Sequence, residues 1–137
     1  GWAVSQAFYR EEVYLTLGYD SLEDYLVRFW EARRTSADAN DLLAMVWTWQ
    51  NADISNNQKY GGDFGKALAG IKAKAIVMPG RTDLYFPPED NELEVAQMPN
   101  AELRPIESIW GHLAGGPGFN LPDAKFVDDA IREILAS

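Results

Sequence analysis

The first half of the chain carries apolar residues at helical spacing. One apolar stripe ends near Gly18, and a second begins after Ser21, where Asp24 three residues later approximates a capping box. A third run, residues 40–50, is apolar around nearly its whole circumference, which is unusual for a surface helix. We therefore predict three helices followed by a polar loop over residues 51–62, and we expect the third helix to meet a ligand cavity or another segment of chain.

After residue 62 the period of the pattern changes. Asp63 is placed to cap a short helix, and the continuously apolar "KAIVMPG" that follows is typical of a buried parallel strand. A helix with Pro at its start, a weaker strand "AELRPI" and an amphipathic closing helix complete the chain. This order of strands and helices predicts an α/β fold with two parallel strands, in which residues 1–62 form a helical segment and residues 63–137 a βαβα portion.

Composition then narrows the classes of function. The formal net charge is −9, from 21 acidic and 12 basic residues, and such a field repels nucleic acid and anionic membrane surfaces. The absence of Cys excludes disulfides and thiolate catalysis, and a single His excludes a His-rich metal site, so we predict neither a metal nor a cofactor. Because no apolar run approaches the length of a membrane span and no leader pattern is present, the composition favours a cytoplasmic protein.

The two strand ends carry the candidate chemistry. Asp83 follows the first predicted strand, and His112, the only histidine, follows the second. Ligands of open α/β sheets bind at the carboxyl ends of the strands, so we expect both side chains at the same edge. A carboxylate bonded to one ring nitrogen leaves the other nitrogen free to take a proton from a nucleophile, and Asp before His is the chain order of one triad class. We interpret His112 as a general base and Asp83 as its orienting acid; the structural alternatives are a solvated loop histidine and a turn-forming aspartate.

Four further residues are candidates for substrate contacts, each with a structural alternative. Trp47, on the third helix, could line a pocket or pack in a core. Asp53, in the loop that follows that helix, could contact substrate, or it could have a capping or solvated role. Phe86 and Trp110 flank the two catalytic candidates and could wall the site or serve only in packing.

The stretches around the two candidates resemble a known family. "GIKAKAIVMPGRTDLYFPPED" and "NAELRPIESIWGH" resemble the C-terminal part of α/β-hydrolase-fold proteins, and more narrowly the homoserine O-acetyltransferase-like branch. Members of that branch carry a strand, a Gly, the acid and an aromatic–Pro–Pro stretch, and then the last strand and a catalytic Gly-His. The helical stretches "SLEDYLVRFW" and "DANDLLAMVWTWQNADIS" resemble the family's lid. The resemblance implies a serine-dependent hydrolase or acyltransferase, with Asp83 and His112 in its triad and a small ester, thioester or amide as substrate.

Two features depart from the family's pattern. The sequence "GHLAGG" stands where the acetyltransferases follow the histidine with an acid and an aromatic residue, which disfavours homoserine as the substrate and suits hydrolysis or another acyl acceptor. No G-x-S-x-G motif occurs, so the resemblance implies that the nucleophile elbow and the oxyanion hole lie upstream of residue 1. We therefore expect these residues to be inactive alone, and to self-associate or to pair with the upstream part. The alternative is a non-enzymatic module that binds a partner through its helices and sheet edges.

Overall fold

Within residues 2–136, which the computed structural model describes, the chain forms seven α-helices and two short strands. A π-helical turn, Leu26–Glu31, continues α3, and a single 3-10 turn, Gly111–Leu113, follows β2. From α5 onward the elements follow the predicted order, and the α/β prediction is confirmed. The elements are α1 (Gln6–Arg10), α2 (Val13–Thr16), α3 (Leu22–Tyr25), α4 (Ala39–Asn51), α5 (Phe64–Ala69), β1 (Ala75–Val77), α6 (Pro88–Val95), β2 (Ala101–Leu103) and α7 (Leu121–Leu135).

The two strands form a parallel pair. β1 and β2 are in register over all three of their residues, and α6 supplies the crossover that a parallel connection requires. Backbone pairing continues past the strands, because the Ile106 N–H donates to the Pro79 carbonyl (2.8 Å) and the Arg81 N–H donates to the Ile106 carbonyl (2.9 Å). The loops that follow β1 and β2 therefore leave the sheet side by side.

Side-chain caps begin the helices where the sequence indicates. The Ser21 hydroxyl accepts a hydrogen bond from the Asp24 N–H (3.0 Å), and the Asp63 carboxylate accepts one from the Lys66 N–H (2.9 Å). The first apolar stripe differs from the prediction of one helix. Glu12 adopts a left-handed backbone conformation with φ of 51°, which interrupts the helical hydrogen bonds and divides the stretch into α1 and α2.

An aromatic core joins the two halves of the chain. Phe8 and Tyr25 are fully buried, and the rings of Phe8 and Trp110, from the loop after β2, pack in a T-shaped arrangement at a centroid distance of 5.1 Å. Burial of an aromatic side chain of this size contributes about 1.5–3 kcal/mol. The main core thus crosses the predicted boundary at residue 62 and holds the loop after β2 against α1. Its buried members are Val4, Phe8, Tyr14, Tyr25, Phe29 and Trp110.

The long helix α4 lies outside this core. None of its residues is buried, although ten of them in succession, 42–51, carry no charge. Most of the aromatic and aliphatic side chains along it are exposed, with Trp47 66% and Leu43 68% accessible to solvent. Of the helices in residues 2–136, none is both long enough and apolar enough to cross a bilayer. The helix meets another part of the described chain through Trp49, whose ring centroid lies 5.9 Å from that of Phe86.

The burial of Tyr25 makes the stability of the fold sensitive to alkali. Burial raises the pKa of its hydroxyl from 10.0 to about 12, with a smaller contribution from the nearby hydroxyl of Tyr9. The unfolded phenol loses its proton near pH 10, whereas the folded phenol retains it to about pH 12, so the stability present below pH 10 falls as pH rises through this interval.

We expect the loss to be roughly 2–3 kcal/mol, from the pKa difference at 1.36 kcal/mol per pH unit. Equilibrium urea unfolding between about pH 9 and about pH 12 measures it. The variant Tyr25→Phe has no proton to lose at this position, so its free energy of unfolding should decline less steeply than that of the wild type. Parallel declines in the two proteins would contradict the assignment.

Candidate active site

Asp83 and His112 meet at the end of the parallel pair. The Nδ1 atom of His112 lies 3.0 Å from Oδ2 of Asp83, and the carboxylate is buried, with 7% exposure, whereas 38% of the imidazole is exposed. The expected meeting of these two side chains at one sheet edge is therefore observed. The carboxylate faces the protein interior, and the imidazole faces solvent.

The second carboxylate oxygen of Asp83 is bonded as well. Oδ1 accepts hydrogen bonds from the N–H groups of Tyr85 (2.8 Å) and Phe86 (3.3 Å), so the side chain folds its own loop into a turn. An ionised carboxylate only accepts hydrogen bonds, which assigns the proton of the neutral imidazole to Nδ1. The Nε2 atom of His112 is then the ring nitrogen with a free lone pair.

Glycine precedes His112 because backbone from the N-terminal segment passes close by. Gly111 has φ of 58°, and a Cβ placed on it would lie 2.8 Å from the carbonyl oxygen of Ala3. The His112 N–H donates to that same oxygen at 2.8 Å. On the other side, a Cβ at Gly80 would lie 2.5 Å from the Gly111 carbonyl oxygen. The two glycines allow the loops after β1 and β2 and the N-terminal segment to converge.

Aromatic rings surround the exposed imidazole. The ring of Tyr85 meets His112 edge-on at a centroid distance of 5.0 Å, and Phe86 lies tilted at 5.4 Å. The ring centroid of Trp49, from α4, lies 5.9 Å from that of Phe86, so Trp49 extends this apolar surface. A cleft beside these rings opens onto the carboxylate–imidazole pair. It is lined by Met78, Pro79, Gly80, Asp83, Phe86, Asn91, Gly111, His112 and Ala114.

Comparison with known proteins identifies relatives of this chain. No family model matches the chain. An ethyl acetate hydrolase of Pseudomonas veronii is 39% identical over 100% of this chain and 38% of its own length. A probable esterase of Corynebacterium glutamicum is 42% identical over 99% of this chain and 39% of its own length. A homoserine O-succinyltransferase of Marinobacter nauticus is more distant, at 32% identity over 87% of the chain.

Solved structures agree with the sequence relatives. The acetyl esterase MekB superposes on the chain with a TM-score of 0.91 at 37% identity, covering 99% of this chain and 39% of the esterase. An acetylester hydrolase from Corynebacterium glutamicum gives the same TM-score and identity over 99% of this chain and 38% of that protein. The chain belongs to the α/β-hydrolase-fold superfamily. It spans 38–39% of the length of these esterases.

The other candidates in this α/β-hydrolase chain fall in different places. Phe86 lies at the site. Trp110 instead faces the aromatic core, with 7% exposure, because its ring packs on Phe8 rather than beside the imidazole. Trp47 is exposed and lines none of the cleft, whereas Trp49 of the same helix reaches Phe86.

Asp53 has a local structural role. Its Oδ1 accepts from both the N–H (2.8 Å) and the hydroxyl (2.6 Å) of Ser55, and these bonds lower the pKa of the carboxyl. Asp53 thus has the capping role that was the alternative to a substrate contact. In the part of the chain that the structure describes, no three His, Cys, Asp or Glu side chains are grouped closely enough to hold a metal ion.

Proposed function

We propose that this chain supplies the general base and the orienting acid of a serine-dependent esterase. The observation that carries the proposal is the hydrogen bond from His112 Nδ1 to the buried carboxylate of Asp83, which leaves Nε2 free at an open cleft. A serine hydroxyl brought to Nε2 would transfer its proton there as its oxygen attacks the ester carbonyl. The imidazolium formed, stabilised by Asp83, would then protonate the departing alcohol, and water would release the acid by the same steps.

A small, uncharged ester is the substrate class that we propose. Tyr85, Phe86 and Trp49 make the surroundings of the imidazole apolar, and the net charge of −9 disfavours anionic substrates. Two of the relatives are named for hydrolysis of ethyl acetate and of acetyl esters. Leu113, which follows His112, offers no carboxylate to hold an amino-acid acceptor, so we favour hydrolysis over transfer to homoserine.

The serine has to come from outside these residues. The sequence has no G-x-S-x-G motif, and three of its serines are engaged elsewhere. Ser5 donates to the Ile109 carbonyl, Ser55 to Asp53 and Ser108 to Asp123. We propose that a segment carrying the nucleophile elbow and the oxyanion hole completes the site, and that the 137 residues hydrolyse no ester alone. A cytoplasmic location stays a prediction of the composition.

The test compares the chain alone with a longer protein that also carries a G-x-S-x-G segment, taken from upstream coding sequence or from one of the esterase relatives. We expect the longer protein to hydrolyse p-nitrophenyl acetate and the chain alone to give only the background rate. A longer protein that folds but transfers acetyl groups from a thioester to an alcohol, without hydrolysing esters, would replace the esterase assignment with a transferase. Absence of both activities would refute the proposal.

The exposed face of α4 favours a second role in association. Leu43 and Trp47, four positions apart and so on one face of the helix, are 68% and 66% exposed on an uncharged stretch, and an exposed apolar face of this kind is typical of a contact site. We propose that it meets a second copy of the chain or the segment that carries the serine. Sedimentation of the chain alone distinguishes the two, because a clean monomer at tens of micromolar would exclude the second copy.

A further inference from the structure

Thr82 connects the two loops that carry Asp83 and His112. Its hydroxyl donates to the carbonyl oxygen of Ser108 (2.9 Å) and accepts from the N–H of Gly111 (3.2 Å). Thr82 is the residue directly before Asp83, and Gly111 is the residue directly before His112. One side chain thus bonds to both ends of the segment that leads into the imidazole.

These bonds begin where the backbone pairing ends. The last backbone bond between the two loops runs from the Arg81 N–H to the Ile106 carbonyl, one residue before Thr82. Arg81 also pairs with Glu107, but that ion pair is solvent-exposed, and exposed pairs contribute little. Beyond this point, the half-buried hydroxyl of Thr82 continues the cross-connection up to the catalytic candidates.

The far side of the same segment is held by α7. The Ser108 hydroxyl donates to the buried carboxylate of Asp123 (2.6 Å) and accepts from the Trp110 N–H (3.2 Å). Ser108 is therefore fixed from one side by α7 and bonded from the other side by Thr82. The loop between β2 and His112 has little freedom to shift while both connections are present.

We propose that Thr82 is a positioning residue that sets the distance and angle between His112 and Asp83. The inference rests on the proposed function, and it concerns the hydroxyl group rather than the volume of the side chain. Thr82→Val preserves the shape but removes both hydrogen bonds, leaving the Ser108 carbonyl and the Gly111 N–H without this partner. Thr82→Ser keeps the hydroxyl and loses only a methyl group. Comparison of the two variants thus separates the effect of the hydrogen bonds from that of side-chain volume.

The single histidine allows a direct measurement in the 137-residue chain. A long-range proton–nitrogen NMR spectrum of the neutral imidazole contains only the signals of His112 and reports which ring nitrogen carries the proton. We expect the Nδ1–H form in the wild type and in Thr82→Ser, and a mixture with the Nε2–H form in Thr82→Val. As a control, Thr16→Val removes another threonine hydroxyl bonded to a backbone carbonyl (2.7 Å), and the Nδ1–H form should persist there.

A purely structural role would lower the melting temperature of Thr82→Val without changing the tautomer, and that result would overturn the proposal. An Nε2–H form in the wild type would overturn it too, because the bond to Asp83 would then be wrong. In the longer protein, Thr82→Val should lower kcat by roughly tenfold to a hundredfold with little change in KM, and Thr82→Ser should remain within a few-fold of the wild type. If His112 proves dispensable for activity while the tautomer responds to Thr82, the proposed function fails and the positioning role stands.

Discussion

Replacing His112 by alanine in the longer protein is expected to lower kcat/KM for p-nitrophenyl acetate by roughly 10⁴-fold or more. The imidazole is the only group in the described chain that combines a free ring nitrogen with a buried carboxylate on its other side. Without it the serine has no acceptor for its proton, and the departing alcohol has no donor. Steady-state kinetics of the purified variant measure the loss.

Two controls separate chemistry from folding. The backbone N–H of His112 bonds to Ala3 and remains in the variant, so thermal unfolding should show a folded protein. Free imidazole added to His112→Ala should restore part of the rate, because the cavity left by the side chain opens onto the cleft. A variant that retains its rate to within tenfold would remove His112 from the catalytic role.

The α/β half of this fold follows from the pattern of the sequence. The short apolar run before Pro79 and Gly80 has the composition of a buried parallel strand, and a second strand after one intervening helix must pair with it through a crossover. Placing Asp83 and His112 just beyond the two strands then predicts their meeting without side-chain detail. Local pattern and topology are sufficient here because the backbone pairing continues past both strands, as far as Arg81 and Ile106, and so carries the two loops toward the same edge.

The aromatic residues could not be assigned in the same way. Trp47 and Trp49 are two positions apart, and at about 100° per residue they face nearly opposite sides of α4. The sequence does not say which side meets the loop after β1, and it is Trp49 that reaches Phe86. Trp110 likewise flanks His112 in sequence, but its ring is buried in the core against Phe8.

Tyr85 and Thr82 were missed for a related reason. Thr82 directly precedes Asp83 and Tyr85 follows it by two positions, yet what each contacts depends on the loop after β2, roughly 30 residues further along the chain. Contacts between residues this far apart produce no periodic pattern in the sequence. The break at Glu12 is also invisible to hydrophobic spacing, because the apolar stripe continues on either side of it.

The Asp83→Asn variant in the longer protein is expected to lose roughly 10³- to 10⁴-fold in kcat while remaining folded. Oδ1 of Asp83 accepts from the N–H groups of Tyr85 and Phe86, and only the oxygen of an amide can take that position. The amide NH₂ group must then occupy the place of Oδ2, where it faces His112 Nδ1 and donates to it. The ring proton moves to Nε2, and the nitrogen that should accept the serine proton is blocked.

Asp123→Asn is the matched control for this substitution. Asp123 is as buried as Asp83, at 6% against 7%, but it accepts a hydrogen bond from the hydroxyl of Ser108, and the amide oxygen of asparagine can accept the same bond. Its kcat should stay within a few-fold of the wild type. If both variants lose activity equally, burial of the carboxylate rather than control of the tautomer explains the loss. If Asp83→Asn loses less than tenfold, the carboxylate does not hold the imidazole for catalysis.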